Sequence, residues 1–166
     1  YMEIGSLAVL GAGQMGAGIT QVAACAGYPV VMIDIEQQYL DRGISTIEKS
    51  LSKLVSKGRM TQREADSAMA LVSTSISREA AADVDLVVEA IPEVPELKFS
   101  AFGELDSICK ESTILATNTS SISINEIANS TNRPDRVIGM HFMNPVPIMK
   151  LVEVINGRET SPEVTT

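Results

Sequence analysis

The glycine-rich segment near the start of the sequence has the spacing of a dinucleotide-binding turn. Gly11, Gly13 and Gly16 form the pattern G-x-G-x-x-G, with Gln14 and Met15 between the last two glycines. In such a turn the first glycine permits the sharp bend, the second lets a pyrophosphate approach the backbone, and the third lets helix and strand pack closely. The N–H groups at the start of the following helix then face the phosphates. The segment therefore predicts a site for a dinucleotide cofactor.

One acidic residue, Asp34, supports this interpretation and indicates which cofactor binds. It lies eighteen residues after Gly16, near the end of the apolar run PVVMIDI. Glycines that served only close packing would leave this carboxylate unexplained. A carboxylate at this position accepts hydrogen bonds from a ribose diol, whereas a 2′-phosphate would be repelled by it. We therefore expect NAD rather than NADP.

A possible acid–base group is His141, the only histidine in the chain. Glu153 follows twelve residues later, after a proline-containing loop. A return strand could bring its carboxylate to the imidazole and hold the imidazole tautomer. Ser120, in the segment TNTSS, could hydrogen-bond a substrate oxygen, although the same segment could equally be a polar turn. These three residue types also occur in hydrolase triads, but Ser120 does not lie in a G-x-S-x-G turn.

The elements that must position these residues alternate between strand and helix patterns. Short apolar runs ending in glycine or polar residues predict buried strands, and apolar residues recurring every three or four positions predict helices between them. The predicted strands cover 6–10, 29–35, 71–75, 85–90, 113–117, 136–142 and 151–155. This order predicts an α/β fold of the doubly wound Rossmann type, with a mostly parallel sheet. Because ligands bind at the carboxyl ends of such strands, we expect Glu89, Asn118, Ser120 and His141 to lie at one edge.

Two predicted helices interrupt the alternation and form a hairpin over about residues 40–72. Apolar residues at helical spacing define the first helix, and Thr61 with Glu64 forms a capping box for the second. Residues 42–63 carry six basic side chains and one acidic side chain, in a chain of formal charge −8. This basic segment is either a solvated helix face or a site for a polyanionic ligand.

Composition excludes several classes of protein. A chain of 166 residues with 45% apolar and 20% charged residues favours a single folded domain over disorder. Its acidic balance argues against general nucleic-acid binding. The uncharged stretch 4–33 contains six glycines, which argues against a membrane span. Two cysteines, Cys25 and Cys109, are too few for a disulfide framework or a zinc site. We expect both to be buried thiols, in a cytoplasmic protein without a metal.

Together these segments resemble the N-terminal domain of the 3-hydroxyacyl-CoA dehydrogenase family. The similarity extends from about residue 6 to residue 157 and is carried by GAGQMGAGI, DLVVEAIPE, ATNTSSISI and GMHFMNPVPIMKLVEVI. The resemblance implies reversible, NAD-dependent oxidation of (S)-3-hydroxyacyl-CoA. It also implies a NAD-binding domain over residues 1–157. Residues 158–166 would then begin the connection to a helical C-terminal domain, absent from this chain, through which the full-length protein forms a homodimer.

The resemblance further implies roles for individual residues. His141 would be the general base, Glu153 its orienting partner, and Ser120 the contact to the 3-oxygen of the substrate. The cofactor-binding set would comprise Gly11, Gly13, Gln14, Met15, Gly16, Asp34, Glu93, Lys98, Ser120 and Asn144.

The hairpin would contact the coenzyme A part of the acyl-CoA substrate through Ser50 and Lys57. Ser50, Lys53 and Lys57 are spaced by three and four residues, which independently places them on one helix face. Two alternatives remain open at this point. One is a related NAD-dependent dehydrogenase that acts on a sugar acid, and the other is a dinucleotide-binding module without turnover.

Overall fold

A seven-stranded sheet forms the centre of the chain, which a computed structural model describes over residues 2–166; Tyr1 lies outside the described residues. The strands β1 to β7 are, in chain order, Leu7–Leu10, Val30–Ile33, Val72–Ser75, Leu86–Glu89, Ile114–Thr117, Val137–Phe142 and Val152–Asn156. Their order across the sheet is β3-β2-β1-β4-β5-β6-β7. All neighbouring strands pair in parallel except β6 and β7, which are antiparallel. The predicted doubly wound Rossmann-type fold is therefore confirmed.

Helices connect the strands. The helices α1 to α6 are Gln14–Cys25, Gln37–Ser56, Gln62–Ala70, Pro95–Ile108, Ile124–Asn129 and Pro162–Thr165. Two short 3-10 turns cover Arg78–Ala81 and Pro134–Arg136. Residues 158–166 include α6, whose Val164 is buried. No helix among residues 2–166 combines the length and the apolar character needed to cross a lipid bilayer.

Alternate residues of the central strands belong to two separate cores. Val9 and Val88 pack in the core that α1, α2 and α3 cover. Ala8 and Val87 point the other way, into the core that α4 and α5 cover. Successive side chains of a strand point to opposite faces, so a sheet covered on both faces needs apolar residues at every position. This explains why the central strands are continuous apolar runs.

The predicted hairpin consists of α2 and α3. Gly58, with a φ of +71°, lies in the turn between them, where a side chain would be strained. The capping box at the start of α3 is complete, because the Thr61 hydroxyl accepts from the Glu64 N–H and the Glu64 carboxylate accepts from the Thr61 N–H, both at 3.1 Å. The buried residues of α2 include Leu40, Ile47 and Leu51. Hairpin helices thus present an apolar face to α1 and leave their basic residues outward.

Some local expectations differ from the structure. Strand β2 covers Val30–Ile33 rather than 29–35, since its partner β1 has only four residues and limits the ladder. Ser123 and Glu126 have the sequence spacing of a second capping box, at the start of α5. The Ser123 hydroxyl accepts from the Glu126 N–H at 3.4 Å, but the Glu126 carboxylate does not complete the box.

The two cysteines also differ from each other. Cys109 is buried, and burial raises the pKa of its thiol to about 11. Cys25 is exposed, so the expectation that both thiols are buried was wrong. It lies three residues after Val22, which is 38% exposed, on the face of α1 opposite its buried residues. The apolar periodicity of α1 is not strong enough to show which face meets the sheet.

One stability prediction concerns Arg133, which lies near the amino ends of β5 and β6. The buried Arg133 guanidinium donates to the Asp106 carboxylate at 2.6 Å and to the carbonyls of Asp106, Cys109, Lys110 and Thr113. We expect Arg133→Ala to lower the free energy of unfolding by about 3–5 kcal/mol, because it leaves a buried carboxylate and several carbonyls without their donor. Urea unfolding measures the change.

The matched control for this prediction is Arg78→Ala. That residue pairs with Glu104 at 2.6 Å, but the Glu104 side chain is 51% exposed. The control should cost less than about 1 kcal/mol, as exposed ion pairs do. Equal losses in the two variants would contradict a special role for Arg133.

Candidate functional site

The glycine turn joins β1 to α1 and is shaped by close backbone approach. Gly11 has a φ of +112°, and a Cβ there would lie 2.5 Å from the carbonyl oxygen of Ala90. A Cβ on Gly16 would collide with the carbonyl oxygen of Gly11. At Gly13, by contrast, no protein atom lies within 4 Å of the position that a Cβ would take. Two glycines therefore close the turn, and the one between them leaves space for a ligand to reach the backbone.

A cavity of about 790 Å³ lies over this turn. Helix α1 starts there with Gly13 as its N-cap, and no side chain caps its first N–H groups. Those N–H groups and the helix dipole favour an anion. The cavity is lined by Gly11, Ala12, Gly13, Gln14, Asp34, Ile35, Tyr39, Arg42, Thr46, Ala90, Ile91 and Pro92.

Asp34 follows β2 and is held against the turn. One carboxylate oxygen accepts from the Ala12 N–H at 2.8 Å and the other from the Ile35 N–H at 2.7 Å. A carboxylate has about four lone-pair positions, so each oxygen can still accept from a ribose hydroxyl. The two backbone contacts orient the carboxylate before any ligand arrives.

Sequence reasoning missed the residues of α2 that line the same cavity. Tyr39, Arg42 and Thr46 lie on one face of the helix, and the Arg42 guanidinium carbon is 5.8 Å from the centre of the Tyr39 ring. Their spacing of three and four residues, directly after Asp34, was the available signal. These side chains place a planar cation and an aromatic ring in the same cavity as the Asp34 carboxylate.

A second cavity, of about 360 Å³, adjoins the first, and Ala90 and Ile91 line both. It lies at the carboxyl ends of β4, β5 and β6, beside the point where the strand order reverses between β1 and β4. Ligands bind at such switch points in open α/β sheets. Its lining brings together Met15, Glu93, Lys98, Asn118, Ser120, His141, Phe142, Met143 and Asn144, besides the two shared residues.

His141 and Glu153 are direct cross-strand neighbours. They are paired in the antiparallel register of β6 and β7, and the imidazole Nδ1 lies 3.7 Å from a carboxylate oxygen of Glu153. This distance is too long for a hydrogen bond and short enough for an ion pair if the imidazole is protonated. The side chains are 28% and 52% exposed, so both are accessible to solvent.

Glu93 and Ser120 form a second polar pair in this cavity. The Ser120 hydroxyl and N–H both donate to one oxygen of Glu93 at 3.0 Å, and the Thr119 hydroxyl donates to the other at 2.6 Å. Burial raises the pKa of Glu93, but these hydrogen bonds and the Lys98 ammonium lower it by more, to about 2. Glu93 is thus ionised at neutral pH. Since Ser120 directs its hydrogen at Glu93, its lone pairs are free to accept from a ligand.

The hairpin residues Ser50 and Lys57 lie away from both cavities. The Ser50 hydroxyl is half-buried and accepts from the Gln21 side chain at 2.9 Å. Lys53 and Lys57 are exposed, and Lys57 caps the end of α2. Among the described residues, no cluster of three or more histidine, cysteine or acidic side chains could hold a metal ion.

The fold and the first cavity define a dinucleotide-binding domain of the kind found in dehydrogenases. Comparison with known proteins narrows this class. Residues 6–166 match the family described as 3-hydroxyacyl-CoA dehydrogenase, NAD binding domain. The chain belongs to this family, and its cofactor is NAD.

Relatives agree in sequence and in structure. The chain is 51% identical over 162 residues to a probable 3-hydroxybutyryl-CoA dehydrogenase of Bacillus subtilis, covering 98% of this chain and 56% of the relative. It is 50% identical over 155 residues to the 3-hydroxybutyryl-CoA dehydrogenase of Clostridioides difficile, covering 93% and 55%. The crystal structure of (S)-3-hydroxybutyryl-CoA dehydrogenase from Ralstonia eutropha superposes with a TM-score of 0.96 at 42% identity, covering 98% and 58%. The chain spans about half the length of these relatives.

The geometry of Asp34 generates a prediction about cofactor choice. Asp34→Ser should weaken NAD binding about tenfold to a hundredfold, since charge-assisted hydrogen bonds contribute about 1.5–3 kcal/mol. NADP binding should improve, because the repelling carboxylate is gone and Arg42 lines the same cavity. Adding Arg42→Ala should remove that improvement. Calorimetric titration with both cofactors measures the effect.

Asp41→Ser is the matched control for the cofactor prediction. Asp41 lies on α2, is exposed and accepts from the Gln37 side chain at 3.0 Å, outside the cavity lining. Both affinities should stay unchanged in this variant. An unchanged ratio of NAD to NADP affinity in Asp34→Ser would show that Asp34 does not face the ribose.

Proposed function

We propose that the complete protein containing this chain reversibly oxidises an (S)-3-hydroxyacyl-CoA to the 3-ketoacyl-CoA with NAD, and that 3-hydroxybutyryl-CoA is the substrate. The observation that carries this proposal is that the two cavities adjoin and share Ala90 and Ile91. The glycine turn and Asp34 lie at one end, and His141, Glu153 and Ser120 lie at the other. The names of the relatives from Bacillus subtilis and Clostridioides difficile support the substrate.

His141 takes the proton in this mechanism. Its imidazole accepts the proton of the 3-hydroxyl, and the neighbouring carboxylate of Glu153 stabilises the imidazolium that forms. When bound, NAD supplies the acceptor for the hydride that leaves C3. A carboxylate beside Nδ1 favours the tautomer that carries its hydrogen on Nδ1, so Nε2 is the basic nitrogen.

Ser120 holds the reacting oxygen. The 3-hydroxyl gives its one hydrogen to His141, so it accepts a hydrogen bond from Ser120, whose hydroxyl hydrogen turns from Glu93 towards it when the substrate binds. In the reduction direction the same Ser120 hydrogen is donated to the ketone oxygen. We assign the nicotinamide end of the cofactor to the wall formed by Met15, Glu93 and Asn144, with Lys98 behind Glu93.

The basic face of α2 is our proposed contact for the coenzyme A phosphates. Lys53 and Lys57 are exposed there and share a face with Ser50. The Ser50 hydroxyl accepts from Gln21 and so keeps its own hydrogen for a ligand. A cationic face on an otherwise acidic chain suits a polyanionic ligand.

We further propose that the complete protein is a cytoplasmic homodimer. Its free thiols, Cys25 and Cys109, suit a reducing compartment. The edge strand β7 and the loop before it expose apolar side chains, including Ile148, Leu151 and Val154, which a further domain would cover. Sedimentation of the complete protein tests the assembly, and a monomeric species at micromolar concentration would contradict it.

The proposed function is tested by NADH-dependent reduction of acetoacetyl-CoA by the complete protein, compared with free acetoacetate and with sugar acids plus NAD. The proposal expects turnover of the CoA ester and very little of the free acid. Turnover of a sugar acid without coenzyme A would favour a different dehydrogenase. NADH binding without any turnover would instead indicate a binding module.

The proton-transfer role generates a prediction for His141. His141→Gln should lower kcat by about 10²–10⁴, the range typical of general-base loss, while NADH affinity stays nearly unchanged. Glu153→Gln should act in the same direction and shift the pH dependence of kcat. Glu159→Gln, an exposed residue after β7, is the control and should match the unaltered enzyme. A His141→Gln enzyme with half the normal kcat would overturn the assignment.

The coenzyme A contact generates a prediction for Lys57. Lys57→Ala should raise KM for acetoacetyl-CoA about two- to fivefold, since exposed charge contacts contribute below about 1 kcal/mol. The effect should shrink as ionic strength rises. KM for a short thioester lacking the nucleotide should not change. Lys110→Ala, which removes a lysine at the opposite edge of the sheet, is the charge-matched control. Equal effects on both substrates would mean that this face is only solvated surface.

A further inference from the structure

Glu89 is an acidic side chain that the mechanism above does not use, and it is completely buried at the carboxyl end of β4. We propose that Glu89 is a positioning residue, which acts through Lys98 to hold Glu93 and Ser120 in the geometry that the reaction needs. This inference rests on the proposed function of the same cavity. In this proposal Glu89 orders the other residues of the site and does not itself contact a ligand.

The Glu89 carboxylate joins three different elements. One oxygen accepts from the Thr117 hydroxyl, at the end of β5, at 2.6 Å. The other accepts from the Ile91 N–H at 2.8 Å and from the Lys98 ammonium of α4 at 2.6 Å. Ile91 lines both cavities. A single buried carboxylate therefore ties the loop after β4, the end of β5 and the first turn of α4 to one another.

Lys98 passes this constraint on to Glu93. Its side chain is 2% exposed, and its ammonium lies 2.6 Å from Glu89, 3.2 Å from Glu93 and 3.4 Å from the Ile91 carbonyl. An ammonium has three hydrogens, and three protein acceptors surround this one. Lys98 lines the cavity, but the three acceptors nearest to its ammonium all belong to the protein. This arrangement favours positioning of Glu93 over direct donation to a ligand.

Glu93 completes the connection to the reacting groups. It accepts from both the hydroxyl and the N–H of Ser120, and Ser120 shares its cavity with His141. The Thr119 N–H in turn donates to the Thr117 hydroxyl at 3.2 Å. Thr117 and Ser120, at the two ends of this loop after β5, both belong to the network of contacts that starts at Glu89.

Stability alone does not explain a buried ion pair at this place. Desolvating two charges costs about as much as their attraction returns, and apolar residues of similar volume are often equally stable or more stable. A fully satisfied buried network instead specifies one arrangement of its members. Glu89 and Lys98 are fully satisfied and lie directly beneath the cavity wall, which is where a single arrangement matters for the reaction.

The test is the double variant Glu89→Leu/Lys98→Met in the complete protein. It removes both buried charges together, so it should still unfold cooperatively. We expect kcat for acetoacetyl-CoA to fall about tenfold to a hundredfold, since loss of reacting geometry typically costs this much, with KM changed less than threefold. The pKa of Glu93 should rise without the Lys98 ammonium, so the acidic limb of the kcat profile should move to higher pH.

The matched control is Asp106→Leu/Arg133→Met, which removes a buried ion pair far from the cavities. This control should lower stability and leave the pH profile of kcat unchanged. A double Glu89/Lys98 variant with the kcat and pH profile of the unaltered enzyme would overturn the proposal. If that variant does not fold, Glu89→Gln replaces it, and a kcat within twofold of normal there would overturn the proposal equally.

NADH binding separates failure of this inference from failure of the proposed function. If the unaltered protein does not reduce acetoacetyl-CoA, the proposed function is wrong. The Kd for NADH, measured by fluorescence titration, should still rise in the double variant, because Glu93 lines the cavity and loses the Lys98 ammonium that holds it. A Kd that is the same in the double variant and in the unaltered protein would overturn the positioning role, whatever the substrate.

Discussion

The two adjoining cavities form one groove, whose structure depends on one buried carboxylate. Glu89 ends the central strand β4 and binds donors from β5, from the loop after β4 and from α4. The loop that it holds carries Ala90, whose carbonyl oxygen lies so close to Gly11 that no side chain fits there. Both walls of the groove therefore meet at the end of β4, where the strand order reverses. The contacts of Glu89 therefore reach the lining of both cavities.

The two ends of the groove recognise charge in opposite ways. The glycine turn offers backbone N–H groups to phosphates, and Asp34 adds a single negative charge beside them. At the other end Glu93 is kept ionised by hydrogen bonds and by Lys98, although burial opposes ionisation. Charges that are already fixed in position give an active site its electrostatic effect, because nothing then has to reorganise during the reaction.

The position of His141 beside Glu153 follows from a single antiparallel strand at the end of a parallel sheet. The register of β6 and β7 places the two residues opposite each other. A shift of one residue would move the Glu153 side chain to the other face of the sheet. Gly139 contributes to this register, since a Cβ there would lie 2.9 Å from the side chain of Ile155. The placement of the imidazole beside the carboxylate is thus maintained by backbone pairing rather than by a hydrogen bond between the two side chains.

The sequence by itself determined the features that depend on a few neighbouring residues. The glycine turn, the carboxylate after β2, the capping box of Thr61 and the alternation of strands and helices were all predictable, because local sterics and hydrogen bonding specify them. The cofactor and the family followed from the same motifs. Asn118, Ser120 and His141 could be placed near the groove because parallel strands end at a common edge, whereas Glu93 followed only from the family resemblance.

Only the tertiary structure decided which polar groups are buried and which partners they find. The pattern DLVVEAIPE does not show that Glu89 is completely buried or that Lys98 returns to it from the next helix. Nor does the periodicity of α1 show that Cys25 faces solvent. Burial and pairing depend on how elements distant in sequence approach each other. A local pattern restricts the backbone of its own segment, whereas the dielectric surroundings and hydrogen-bond partners of a side chain come from all the segments packed around it.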